Sequence, residues 1–269
     1  MSSAAEAVRL LLPGAALVLV LMGGLWVFHL RVKDAGVVDV GWAAGLGLLA
    51  LYYAAVGPGW AARRALVGIL GGVWAFRLAS HLARRMRGKP EEGRYAALRE
   101  EWTARGRNVS GAFLVFFLAQ GLLDVLLSWP FLLAASDARP AFSGAEAAGG
   151  VLWLVSVGGE SLADLQLVRF KADAANAGKV CREGLWNLSR HPNYFFEWLV
   201  WCAFALLAFD APLGPTALVC PALMLFFLLR ITGIPATEAQ AVRSKGEAYR
   251  RYQREVSAFF PWFSRSGAA

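Results

Sequence analysis

Long apolar runs separated by short polar connectors dominate this chain. A helix that crosses a bilayer needs roughly 20 apolar residues. The run VRLLLPGAALVLVLMGGLWVFHL, about residues 8–30, meets that length. It is too long for a signal-peptide core, and no small-residue cleavage site follows, so the pattern predicts a span. Further spans are expected at about 36–56, 61–83, 111–135, 149–168, 193–209 and 212–234. Asp210 and two prolines separate the last two. The pattern therefore predicts an all-α, polytopic membrane helix bundle of about seven transmembrane helices.

Composition agrees: 58% of residues are hydrophobic and only 17% charged, against about 25% charged in soluble domains. No fixed-period repeat or low-complexity tract divides the chain. The expectation is one integral membrane domain over 1–269, with a cofactor-binding half at about 149–269.

Charge orients the bundle. Basic residues crowd the 84–110 connector, the 169–190 connector (Arg169, Lys171, Lys179, Arg182, Arg190) and the tail (Arg243, Lys245, Arg250, Arg251, Arg254, Arg265). Arg31 and Lys33 mark the first connector. With seven spans these segments share one side, which the positive-inside rule makes cytoplasmic. The N-terminus is then outside, and the expected location is a bacterial inner membrane. The net charge of +8 is assigned to loops facing anionic lipid, with no nucleic-acid or protein partner implied. Cys181, Cys202 and Cys220, with His29, His81 and His191, make neither a metal-ligand nor a disulfide pattern.

Ionisable residues inside spans are costly and usually face a bundle interior, a wet cavity or each other. Here Asp39 falls near the start of the second span and Arg77 within the third. Gln120 with Asp124, Glu160 with Asp164, and Asn193 with Glu197 are each four residues apart, so each pair shares one helix face. Together they predict a polar or amphipathic cavity. Singly, each could equally be a hydrogen-bonding bridge between helices. Arg230 and Glu238 bracket the end of the seventh span.

The segment SRHPNYFFE concentrates this chemistry at one helix start. Pro192 suits a first helical turn, where its missing N–H is not needed. The unpaired N–H groups of that turn favour an anion. Arg190 and His191 add positive charge and donors, Asn193 a donor and an acceptor, and Glu197 lies one turn deeper. A nucleotide cofactor arriving from the cytoplasm suits this doorway.

The block GLWNLSRHPNYFFE resembles the C-terminal signature of steroid 5-alpha-reductase-like membrane proteins. VVDVGW, RYAALREEW, DLQLVRFKADAANAGKVCREGLW and YRRYQREVSAFFP are similar to its bacterial DUF1295 branch. The resemblance implies a seven-helix reductase that holds NADPH in a cytoplasmic cavity and takes a steroid or other lipophilic enone from the bilayer. It implies cofactor binding by Glu160, Asp164, Arg169, Lys171, Asn193, Glu197 and Arg230, with Arg190, His191 and Tyr252 beside them. This chain departs from the steroid reductases in carrying Glu160 for an asparagine and Trp74 near their third-span tyrosine. Its nearest acid to their N-terminal glutamate is Asp39, so Asp39 and Arg77 are the expected catalytic residues.

A looser form of the doorway occurs in isoprenylcysteine and phospholipid methyltransferases, which use S-adenosylmethionine. That makes a methyltransferase the alternative, with Glu238 ahead of Tyr249 and Tyr252 in a similar tail. A transporter would be expected to show repeats or broken midplane helices, and the sequence shows neither.

Overall fold

The computed structural model describes residues 3–91 and 93–264, so Arg265 of the basic tail lies outside the described residues. Among these the protein is helical, with no strand. The helices are α1 (Ser3–Val32), α2 (Val37–Val56), α3 (Ala61–Met86), α4 (Gly93–Ala104), α5 (Val109–Leu127), α6 (Trp129–Ser136), α7 (Gly144–Ala172), α8 (Pro192–Ala208), α9 (Val219–Phe226), α10 (Ile234–Lys245) and α11 (Glu247–Glu255).

Six segments among the described residues are long and apolar enough to cross a membrane: Arg9–Val32, Val37–Val56, Ala61–Met86, Val109–Ser136, Gly144–Ala172 and Gly214–Lys245. This is a multi-pass membrane protein. The remaining apolar helix, α8, has 17 residues and is about 25 Å long at 1.5 Å per residue.

Two expected spans are interrupted. The run at 111–135 is α5 followed by α6, broken at Ser128. The Ser128 hydroxyl bonds back to the Val125 carbonyl at 2.8 Å, and Pro130 opens α6, where it cannot donate a helical N–H. The last run is assembled from a 3-10 turn (Gly214–Leu218), α9, a π turn (Phe227–Ile231) and α10 with proline in its first turn.

The fold divides into two compact units, Met1–Gly144 with Leu207–Ala217, and Ala145–Leu206 with Leu218–Ala269. In the first, small residues bring α2 and α3 together. A Cβ on Gly71 would stand 2.5 Å from that of Ala50, and one on Gly47 2.5 Å from that of Ala75. Bilayer helices associate through such close packing, since lipid removes the hydrophobic drive between them. Val20, Phe76 and Val115 are exposed, as lipid-facing side chains should be. The buried Arg63 donates to the carbonyls of Asp137, Arg139 and Ala141 at 2.6–2.8 Å, closing the connector after α6.

In the second unit, the turn before α8 is fastened to α7. Gly184 has φ +54°, and a Cβ there would meet the Gln166 side chain at 2.2 Å. Glycine alone fits that conformation at that approach. Leu185 N then donates to Gln166 Oε1 at 3.0 Å, and Trp186 Nε1 to the Ala163 carbonyl at 2.9 Å. Phe170, Cys181 and Trp186 form the small core beneath. At Gly159 of α7, a Cβ would lie 2.4 Å from the ring of Phe196 in α8, so these two helices also pack closely.

Candidate functional site

The doorway stands in the second unit. α8 begins at Pro192, and its first intrahelical bond runs from Phe195 N to the His191 carbonyl at 3.1 Å. His191 is therefore the residue at which the helix starts, and Asn193 lies in the first turn. Asn193 Nδ2 donates to Asp164 Oδ1 of α7 at 3.3 Å. One turn further, Glu197 accepts from Trp201 Nε1 at 3.0 Å. Glu160, Asp164 and Glu197 are all buried. The α7–α8 junction thus carries three buried carboxyl groups and an amide.

On the other side of the helix start, the C-terminal segment is laced onto residues 188–191. Ser189 Oγ donates to the Phe259 carbonyl at 2.8 Å, Arg190 N to that of Ser257 at 2.8 Å, and Trp262 N to that of Leu188 at 2.9 Å. The Arg190 side chain donates to Glu238 Oε1 at 2.6 Å and to the carbonyls of Gln253 and Val256. His191 Nε2 is 3.3 Å from the same Glu238 oxygen, and its ring stacks on Tyr194. Burial pushes His191 below its ordinary pKa of 6.5, Glu238 opposes this, and Arg190 adds to it. Tyr252 is buried and donates to the carbonyls of Trp186 and Ser189. Burial pushes its phenol well above the usual tyrosine range. An open cleft of about 450 Å³ runs beside this tail, lined by Arg190, Gln253, Arg254, Phe260 and Trp262 among others.

The structure therefore joins Asp164 to Asn193 and places Arg190, His191 and Tyr252 against the tail. Arg169 and Lys171, in the last turn of α7, and Arg230, in the π turn, are exposed. Glu238 and Gln253 do more at the doorway than sequence reasoning assigned them. Their partners are 47 and 63 residues away along the chain, beyond any local pattern.

Asp39 and Arg77 lie in the first unit. Asp39 forms an ion pair with Arg94 and accepts from the Tyr95 hydroxyl at 2.7 Å. Tyr95 is buried, with the Arg94 guanidinium 4.6 Å from its ring centroid. Tyr95 lies 56 residues from Asp39 along the chain, beyond any local pattern. Arg77 is half-buried on α3.

The family described as "Protein of unknown function (DUF1295)" matches residues 25–256. The chain belongs to that family, which is part of the steroid 5-alpha-reductase-like membrane superfamily. The chain is also 33% identical over 102 residues to "Probable O-methyltransferase ustE" of Ustilaginoidea virens. That match covers 35% of this chain and 34% of the relative, so the chain spans about a third of its length. No solved structure matches. The comparisons point to a membrane enzyme family.

Proposed function

We propose that this protein is an integral membrane oxidoreductase that passes a hydride from NADPH to an activated carbon–carbon double bond of a steroid or other lipophilic enone. The observation that carries the reading is the Asn193–Asp164 bond between the first turn of α8 and α7, with Glu160 and Glu197 buried on the same two helices.

The donor set fits the cofactor. Asn193, Asp164 and Glu197 offer the amide and carboxylates that hold a carboxamide and ribose hydroxyls. Most of Arg190's donors are engaged by protein oxygens, so phosphate charge falls to Arg169, Lys171 and Arg230. When bound, NADPH supplies the hydride; the protein binds, orients and protonates. Within the first unit, an ion-paired Asp39 is suited to orient rather than to give up a proton. Its hydrogen-bonded neighbour Tyr95 is then the proton-donor candidate, with Arg77 as a further cation on α3.

A second reading, an S-adenosylmethionine-dependent methyltransferase, is favoured by the name of the fungal relative. The buried carboxyls of α7 and α8 suit a cationic cofactor as well. Titrating the purified protein in micelles with NADPH, NADH and S-adenosylmethionine separates the readings. NADPH binding that Asn193→Ala weakens by about tenfold or more supports the first, tenfold being 1.4 kcal/mol. Binding of S-adenosylmethionine alone replaces it with the second. Unchanged affinity in a folded Asn193→Ala variant removes the doorway from either. For the proton step, Tyr95→Phe should lower kcat by about 10²–10⁴, the range for a lost general acid, and leave NADPH affinity intact. An unchanged kcat excludes Tyr95.

A further inference from the structure

We propose that Glu238 is the positioning residue of the doorway. It ties Arg190, His191 and α11 into one unit and so sets the opening turn of α8 from which Asn193 reaches Asp164. The functional consequence rests on the cofactor reading above; the structural one does not.

The geometry leaves Glu238 little room for another role. One carboxylate oxygen accepts from Arg190 at 2.6 Å and lies 3.3 Å from His191 Nε2; the other accepts from Gln253 Nε2 at 2.8 Å. Its donors thus come from two elements besides its own α10, the residues at the start of α8 and α11. Arg190 is nearly buried, and apart from Glu238 the bonds found for its guanidinium are to neutral oxygens, the carbonyls of Gln253 and Val256 and the Tyr249 hydroxyl of α11. Glu238 therefore supplies its counter-charge, and a buried cation stripped of its partner destabilises its surroundings. The disturbance would fall on residues 189–191, and Asn193 follows two residues later in the same rigid first turn. The Asn193–Asp164 bond, already long at 3.3 Å, has little margin for such a shift.

Two readouts in the full-length protein in micelles test this. Hydrogen exchange followed by mass spectrometry should show amides of residues 188–197 exchanging about tenfold faster in Glu238→Gln, with α2 protected as in the wild type. Unchanged protection at the doorway overturns the proposal. Cofactor affinity should fall about tenfold in Glu238→Gln and in Asn193→Ala, while the double variant should bind no more weakly than Asn193→Ala alone. Additive losses would mean that Glu238 acts on the cofactor independently of Asn193, and would also overturn it. If the wild type binds neither NADPH nor S-adenosylmethionine, the cofactor reading fails, and the exchange measurement still decides the role of Glu238. Should Glu238→Gln not fold, Gln253→Leu removes the bond from Glu238 to α11 without leaving Arg190 unpaired. The same faster exchange at 188–197 is expected there, and its absence counts against the proposal.

Discussion

Asp124 on α5 is wholly buried in the first unit, and neither carboxyl oxygen has a hydrogen-bond partner among the described residues. A Cβ on Gly45 would lie 2.4 Å from its Oδ2, so the glycine makes the space the acid occupies. A buried polar group without a partner costs about 1–3 kcal/mol. Asp124→Leu should therefore raise the thermal midpoint in micelles, and Gly45→Ala should lower it, since overpacking costs about 1–3 kcal/mol of stability. A lower midpoint for Asp124→Leu would show that the carboxyl is satisfied. His191 makes a pH-dependent contribution of definite sign. Its folded pKa lies below its ordinary 6.5, so the unfolded chain binds more protons in the window just below 6.5. The stability associated with neutral His191 is complete above pH 6.5 and declines as the pH falls through that window. Unfolding curves between pH 7.5 and 5.5 should thus fall less steeply for His191→Gln than for the wild type. His29 and His81 are common to both proteins and cancel in the difference. Parallel curves would remove His191 from the pH response.

At the scale of elements, α4 is fastened by two carboxylates. Asp39 receives Arg94 and Tyr95, while Glu91 receives Arg99 and the main-chain N–H of Ala35. Burial raises Glu91, but these donors outweigh it and hold its pKa below the ordinary 4.5. Replacing Arg94 with Ala should loosen one fastening only, so exchange should rise across Gly93–Ala104 while α2 stays protected. Equal protection in both proteins would mean that packing alone seats α4. This helix also marks where the sequence stopped being legible. Spans announce themselves through apolar length, whatever they pack against, and the first three runs lie within a few residues of α1, α2 and α3. α4 lies in a connector that reads only as a basic loop, because Asp39, which receives its Arg94 and Tyr95, is 55–56 residues away. The break at Ser128 had a visible signal in Pro130, whereas the π turn at Phe227–Ile231 lies in an apolar run whose one charge, Arg230, does not announce a change of helical pitch. At the doorway, spacing alone placed Asn193 one turn before Glu197, and Pro192 at the helix start. It could not reveal that Arg190 would be committed to Glu238, since that pairing depends on how the tail folds back.

Membrane topology turns on α8. Six segments have the length and hydropathy of spans, and with six crossings the two ends of the chain share a side. With α8 as a seventh crossing, they lie on opposite sides. Its 17 residues cover about 25 Å against a hydrocarbon thickness of about 30 Å, a shortfall that bilayer thinning accommodates at modest cost. The basic connectors favour the odd count, because 84–110, 169–190 and the tail then share one side. We expect a C-terminal fluorescent-protein fusion in a bacterial inner membrane to fluoresce, since that reporter folds in the cytoplasm. A phosphatase fused ahead of the N-terminus, which is active only outside, should be active. An active N-terminal phosphatase with a dark C-terminal fusion would give an even count, with 84–110 and 169–190 still cytoplasmic, and leave α8 as a helix that enters without crossing. The Asn193 doorway would remain on the cytoplasmic side either way, since the 169–190 connector leads directly into it. What would change is the depth of Glu197 and Trp201, which a crossing α8 carries into the bilayer and a shallow one leaves at its surface. A spin label on the part-buried Cys202, with the buried Cys181 and Cys220 replaced by Ser, read by oxygen against nickel-chelate relaxation, distinguishes these depths. Preferential oxygen access is expected.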